Sequence, residues 1–357
     1  MDIKNYLKLM ADRDASDIFL KAGTCAYLRE PKGLVAVSSE KLSLKELDHI
    51  LSEVANERLR KIFEENFDVD FALTIEDLGR FRVSVFFQRN EPSIVIRRIR
   101  KDIPDFEQLN LPGDLLKKLC QERRGLVFIT GTAGSGKSTT IASMIEYINN
   151  TSNKHILSLE DPIEYVFSDK QSIISQRELG IDVKSYPTAL RQATLQSVDV
   201  IYISTVRDLE TMQAAITAAE MGMLVFATVH SVNAYQTVER VINLFPPHQH
   251  NEVRAQLALL LRGIISLRLI PTKDGTGRVP ACETMVSTPT ISRLLREGKT
   301  WELLHFIEEG DLFGMQSFKQ SLVRLIREDK ISQSYAADFA DSKDELDLEL
   351  KGIKRIS

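Results

Sequence analysis

The chain has 357 residues, 43% of them apolar and 27% charged, which is enough for two buried cores and argues against long disordered tracts. With 46 basic against 50 acidic residues the formal charge is −4, so no global field would draw the protein to nucleic acid or anionic lipid. Cys25, Cys120 and Cys282 show no C-x-x-C spacing, and the N-terminus carries acidic residues instead of an apolar signal core. Disulfide framework, zinc site, export and membrane spanning are therefore not expected, and a reducing cytoplasm fits.

In chain order, residues 2–11 read as a short amphipathic helix, 16–20 as a strand, and 43–66 as helices with apolar residues three and four apart. Residues 70–73 and 79–99 alternate apolar and polar side chains around a turn containing Asn90 and Pro92, which predicts a hairpin. Residues 1–99 are expected to form one domain. The polar stretch 100–112, with Pro104 and Pro112, reads as a linker leading into a helix that runs to about Glu122.

From Gly125 the pattern changes. The apolar runs GLVFIT, HILSLE, VDVIYIS and MLVFATV alternate with helical stretches or loops, which predicts a parallel sheet covered on both faces. After Pro246 the pattern is mainly helical, including 251–267 and 315–328, so the second domain, 113–357, is expected to end in a helical region.

GTAGSGKS at 131–138 fits G-x-x-x-x-G-K-[ST], directly after an apolar strand and before the helix-like run TTIASMIEYI. Gly131, Gly134 and Gly136 let the backbone turn so that N–H groups of the loop converge on phosphate oxygens. The loop comprises Thr132, Ala133 and Ser135 and continues into the helix start at Thr139. Lys137 is expected to reach the β and γ phosphates, and the Ser138 hydroxyl to ligate a magnesium ion that bridges them. A mere Gly-rich turn requires neither the Lys–Ser pair nor this strand and helix placement, so the motif reads as a site for ATP and Mg2+.

Beyond this loop, EDPIEY at 160–165, VRDLET at 206–211 and the run ending in ATVHS at 227–231 resemble the secretion-type traffic ATPases. The resemblance is greatest to the type IV pilus retraction ATPases, the PilT/PilU family. ASDIFL, GRFRVSVF, QREL and GMQSF carry it almost end to end, and HNEVRAQLALLLRGIISLRLIPTKDGTGR with YAADFADSKDELDLEL is similar to the PilU branch. It implies an α/β fold, with an N-terminal PAS-like α+β domain followed by a RecA-like P-loop NTPase domain with a helical C-terminal part. It further implies a homohexamer at the cytoplasmic face of the inner membrane, driving pilus disassembly and twitching motility by ATP hydrolysis. The implied partners are the pilus platform and a paralogous retraction ATPase. No nucleic acid is expected, and membrane contact only through partners.

Glu160, Asp161 and Glu164 match the acidic box of that family, where a carboxylate faces magnesium, holds the attacking water or accepts its proton. Glu160 is the first choice, as catalytic group and metal ligand, with Glu164 beside it. By spacing alone, three carboxylates in six residues read equally as a solvated loop or a helix cap. His230 falls in the family's His box, where it would sense the γ-phosphate or touch a neighbouring subunit, although a lone histidine is more often structural. In the same family N-terminal arginines reach the nucleotide, which points to Arg80, Arg82 and Arg97. Strand alternation puts Arg80 and Arg82 on one face and Arg97 opposite to Arg98, so not all four can serve ATP. Solvent-facing arginines are the alternative. Asp208 is expected to cap the nearby helix and pair with Arg207.

Several positions depart from the family pattern. Ser204 and Thr205 stand where a Gly-Glu pair is usual, Leu195, Ser197 and Val198 where Arg, Asp and Pro are usual, and Met223 where the His box begins. A threonine hydroxyl can hydrogen-bond but cannot take a proton at neutral pH. Two functions follow: a retraction motor ATPase, or a hydrolysis-impaired nucleotide-binding ring that supports an active motor. A RecA-like nucleic-acid motor is disfavoured by the balanced charge.

Overall fold

A computed structural model describes residues 2–30, 33–99 and 102–352. Positions 100 and 101 of the expected linker and 353–357 of the tail lie outside the described residues. The chain divides into two compact units, Met1–Asp102 with Glu164–Val166, and Ile103–Ile163 with Phe167–Ser357.

In the first unit, α1 (Ile3–Asp12), β1 (Asp17–Lys21), β2 (Tyr27–Glu30), β3 (Gly33–Ala36), α2 (Leu44–Val54) and α3 (Glu57–Asn66) precede β4 (Asp68–Ile75), β5 (Gly79–Gln88) and β6 (Glu91–Arg98). The strands form one antiparallel sheet in the order β3-β2-β1-β6-β5-β4. Each helix starts on a side-chain cap, from Asp2, Ser43 and Asn56, which satisfies a backbone donor of the first turn. Alternation does the rest: Ile18, Ile96, Val83 and Phe71 stand side by side on the buried face, in a core with Leu7, Leu47 and Ile50 of the helices.

The expected hairpin is present, but its turn is Arg89–Asn90, both at positive φ, as a two-residue loop requires. Pro92 sits inside β6 opposite Phe87, beyond Ser93, where the pairing of β6 with β1 ends. The short hairpin β2–β3 went unpredicted, because four-residue strands carry too few alternations to register.

The second unit opens with α4 (Gly113–Cys120), β7 (Gly125–Thr130), α5 (Lys137–Thr151), β8 (His155–Glu160) and β9 (Ile173–Glu178). Next come α6 (Tyr186–Ala193), β10 (Val200–Ile203), α7 (Leu209–Glu220), β11 (Leu224–Val229), α8 (Ala234–Asn243), α9 (His250–Leu260), β12 (Leu261–Pro271) and β13 (Arg278–Val286). Five helices close the unit: α10 (Pro289–Glu297), α11 (Leu303–Glu308), α12 (Phe318–Arg327), α13 (Gln333–Phe339) and α14 (Lys343–Leu350). The sheet order is β13-β12-β7-β11-β10-β8-β9, parallel except for β13. Residues of successive strands alternate between two cores: Phe128, Leu159, Ile203 and Ala227 pack with α6 to α9, whereas Ile129, Tyr202 and Phe226 pack with α4 and α5. Both faces are covered, as the apolar runs predict. Phe106 and Leu111, from the expected linker, are buried in this unit.

One expectation is overturned. The helix expected over 251–267 ends at Leu260, and Leu261–Pro271 is a strand between β7 and β13. Apolar residues at 257, 260, 261, 264, 265 and 267 satisfy both a helical and a strand period. Pairing with two neighbours decides the ambiguity, and the region after Pro246 therefore holds a strand pair between α9 and α10. Strand β9 stands at the sheet edge where the sequence, lacking a long apolar run, predicts a loop. The last helices pack on β12 and β13 around Ile270 and Val279, where Arg268 stacks 3.8 Å above Phe318 and donates to Phe339 O and Asp341. Among the described residues no helix is long and apolar enough to cross a membrane.

Phe226, fully buried in the middle of the sheet, supports the face on which α5 rests. Phe226→Ala is expected to lower unfolding stability by about 3–5 kcal/mol, read as a shifted denaturant midpoint.

Candidate nucleotide site

The parallel strands β7, β11, β10 and β8 are neighbours, so their C-terminal ends lie along one edge. In doubly wound sheets that edge is where ligands bind. The loop 131–138 leaves β7 there and enters α5 at Lys137. Gly131, Gly134 and Gly136 take φ of +145°, +74° and +97°. At Gly131 a Cβ would lie 2.3 Å from Ser135 Oγ and 2.6 Å from Leu267 O, so only glycine fits the first turn of the loop.

Helix α5 has no side-chain cap and no acidic residue in its first turn, which leaves its N-terminal donors and dipole for an anion. Lys137 is buried, its Nζ donating to Gly131 O at 2.9 Å and Thr132 O at 2.7 Å. Its charge is thus held over the loop. Among the described residues Ser135 Oγ is buried without a hydrogen-bond partner, while Thr132, Ala133 and Gly134 are exposed, so the loop is open to a ligand that brings acceptors. A polyphosphate fits these donors. Ser138 and Thr139, half-buried on the first turn of α5, follow directly.

His230 follows β11, the strand beside β7. Burial first, then the charges of Lys137, Arg207 and Arg240, push its pKa below the usual histidine value, so it is neutral at pH 7. Its Nε2 stands 3.4 Å from Thr205 Oγ1, which also lies 3.5 Å from Thr228 Oγ1. Thr205 is buried just after β10, and Asp208 caps α7 through the N–H of Thr211, as expected.

Glu160 ends β8, three strands from β7, on the order of 14 Å along the sheet. Its buried carboxylate accepts from Ser158 Oγ at 2.7 Å and Gln176 Nε2 at 3.1 Å. Among the described residues no group of three or more histidine, cysteine, aspartate or glutamate side chains is gathered for a metal ion. Glu164 lies in the segment grouped with the first unit. In that unit Arg82 pairs directly across from Arg97, while Arg98 pairs with Phe81, so the expected separation of Arg97 from Arg98 holds. Arg82 binds Asp70 at 3.0 Å, and Arg97 binds the buried Asp17 at 2.7 Å.

The departures from the family pattern do not gather around one site. Met223 precedes β11 at its N-terminal end, buried in the core, the length of the strand away from His230. Leu195, Ser197 and Val198 precede β10 at the same far end. Only Ser204 and Thr205 stand on the phosphate edge. Beside them is a cavity of about 610 Å³ whose lining includes Asp161, Lys184, Tyr186, Thr205 and Arg207. Tyr186 was missed from the sequence. Its hydroxyl lies 2.9 Å from Ser204 Oγ, which also accepts from Asp161 N, and burial pushes its pKa up to about 12. Nothing local in SYPTALRQ signals that contact, which depends on the end of β10 meeting the start of α6.

The family described as type II/IV secretion system protein matches residues 2–317. The type IV pilus ATPase PilU of Pseudomonas aeruginosa is 40% identical over 98% of this chain and 92% of its own length. The type IV pilus retraction ATPase PilT of the same organism is 38% identical, over 95% of this chain and 98% of its length. A crystal structure of the pilus retraction motor PilT with bound ADP superposes with a TM-score of 0.91, at 39% identity, covering 97% of this chain and 99% of that one.

Gly131→Ala forces a Cβ into Ser135 and the Leu267 carbonyl. The expected result is at least a tenfold loss of nucleotide affinity, measured by titration with a fluorescent ADP analogue, on the order of one lost charged contact.

Proposed function

We propose, on the premise that this chain belongs to the type II/IV secretion system protein family, that it is an ATP-binding motor subunit of a type IV pilus machine, acting in retraction in the manner of PilU and PilT. The observation that carries this reading is the glycine loop at the end of β7, with Lys137 folded over it and an uncapped α5 behind it. We read the first unit as PAS-like and the second as RecA-like. The assembly proposed is a homohexamer at the cytoplasmic face of the inner membrane, with the pilus platform and a paralogous retraction ATPase as partners.

In this reading the N–H groups of the loop and of α5 grip the phosphates, and Lys137 neutralises charge on the β and γ groups. Ser138 would hold a Mg2+ ion, with Glu160 as the carboxylate assigned to it, the ion supplying charge neutralisation of the transferred phosphoryl. Neutral His230 can donate or accept one hydrogen bond at the γ-phosphate edge. Glu160 and Glu164 are the candidate proton acceptors, and Arg80, Arg82 and Arg97 the candidate cations from a neighbouring subunit.

A second reading rests on Thr205. On the strand end beside His230 stands a hydroxyl, which orients water but takes no proton at neutral pH. This favours a ring that binds ATP well, turns it over slowly and supports an active motor. Loss of one acid–base group lowers turnover by about 10²–10⁴.

Purified protein separates the two readings. Steady-state ATP hydrolysis that disappears in Lys137→Ala establishes the motor ATPase, whereas tight ATP binding with turnover no higher than that variant establishes the impaired ring. In the second case Thr205→Glu is expected to raise turnover by at least tenfold. Unchanged turnover with binding retained removes Thr205 as the cause.

A further inference from the structure

Thr130, Ser266 and Glu283 stand side by side on β7, β12 and β13 at the end of the sheet that carries the phosphate loop. All three are buried, Glu283 at 4% exposure, and Thr130 Oγ1 donates to Ser266 Oγ at 2.9 Å. Adjacent strands are about 4.8 Å apart, so Glu283 lies on the order of 10 Å from the residue preceding Gly131. Its Oε1 accepts the N–H of Ala234 at 2.7 Å, the first residue of α8. That helix begins four residues after His230, and Ser231 Oγ lies 2.6 Å from Thr237 Oγ1 on its first turn. A buried carboxylate therefore sits between the phosphate loop and the helix that follows His230, and no step of the proposed function uses it.

We propose that Glu283 is a proton-binding site linked to the nucleotide site, taking up a proton when a polyphosphate enters the loop 131–138. The inference rests on the phosphate-binding reading of that loop. A ligand in the loop lies beyond Thr130, roughly 10–15 Å from Glu283, and at an effective dielectric of about 20 one net negative charge at that distance raises the proton affinity of a carboxylate on the order of tenfold.

The surroundings of Glu283 keep both of its states accessible. Burial pushes its pKa up to about 7, opposed by the Ala234 N–H on α8 and by Arg268 on β12. Asp341, between α13 and α14, and Glu308, on α11, push it further up. Arg268 is itself held by Asp341 at 2.8 Å and by Phe339 O, so the C-terminal helices set part of this balance. The bound state holds more protons than the free state, so nucleotide affinity falls as pH rises through about 7 to 8.

Calorimetric titration of the full chain with Mg-ADP in buffers of different ionisation enthalpy counts the protons taken up. At pH 7.5 the wild type is expected to take up about half a proton more per nucleotide than Glu283→Gln, since a tenfold rise in affinity moves the midpoint from about 7 to about 8. Glutamine keeps an acceptor for the Ala234 N–H, so the fold persists, and protons belonging to ADP cancel in the difference. Ala234→Pro removes the donor at a helix position where proline is tolerated, and is expected to move the uptake window to higher pH. Equal proton counts in wild type and Glu283→Gln, or an unmoved window in Ala234→Pro, overturn the inference. Unimpaired ADP binding in Lys137→Ala would instead overturn the phosphate-loop reading on which it rests.

Discussion

The parallel pairing of β7 with β11, which sets Thr130 opposite Val229, is the constraint on which the rest of the site depends. Because β10 and β8 continue the same direction, one sheet edge receives the start of α5, His230, Thr205 and Glu160. No side-chain interaction could gather these groups against the conformational entropy of the loops that carry them. The strand ladder does so with backbone hydrogen bonds already needed to bury both sheet faces. Helix α5 then comes to rest with its N-terminus at the loop because Met144, Ile145 and Ile148 pack on the face formed by Ile129, Tyr202 and Phe226. The core and the placement of the glycine loop are one construction.

Burial on that edge sets the protonation of its titratable groups. Desolvation and the cations Lys137, Arg207 and Arg240 lower the pKa of His230 and favour its neutral form, and desolvation raises that of Tyr186, a phenol protonated at neutral pH in any case. Both favour hydrogen bonding over charge at neutral pH. The positive charge needed by a polyphosphate comes instead from Lys137, which two loop carbonyls keep in place, and from backbone donors that cannot titrate.

Legibility in the sequence followed the length scale of each signal. The glycine loop could be read outright, because its spacing and its flanking strand and helix lie within thirty residues of one another. The hairpin β5–β6 and the buried strands β7, β8, β10 and β11 could be read from alternation or from apolar runs. Leu261–Pro271 could not, because its apolar positions suit a helix as well as a strand, and only β7 and β13 on either side resolve it. Tyr186 and Glu283 were invisible for a related reason: each matters through a partner far along the chain, Ser204 in one case and Ala234 in the other.

The geometry also changes how the departures from the family pattern should be weighed. From the sequence, Leu195, Met223 and Thr205 look like successive losses from one centre. A strand of six residues spans roughly 20 Å, and β11 puts Met223 at one end and His230 at the other. Met223 is buried there and Leu195 is almost fully exposed, so within one subunit neither touches the phosphate edge. Of these three positions only Thr205 lies beside His230, its hydroxyl 3.4 Å from Nε2. A carboxylate in that place would add a proton acceptor and would also draw a proton onto the imidazole, since an opposite charge at this distance favours the charged form. A carboxylate at 205 would thus change both the proton acceptors at that strand end and the protonation of His230. The two effects oppose each other when His230 must remain neutral to accept a hydrogen bond, and that opposition gives a hydroxyl at this position a physical role beyond the absence of an acid.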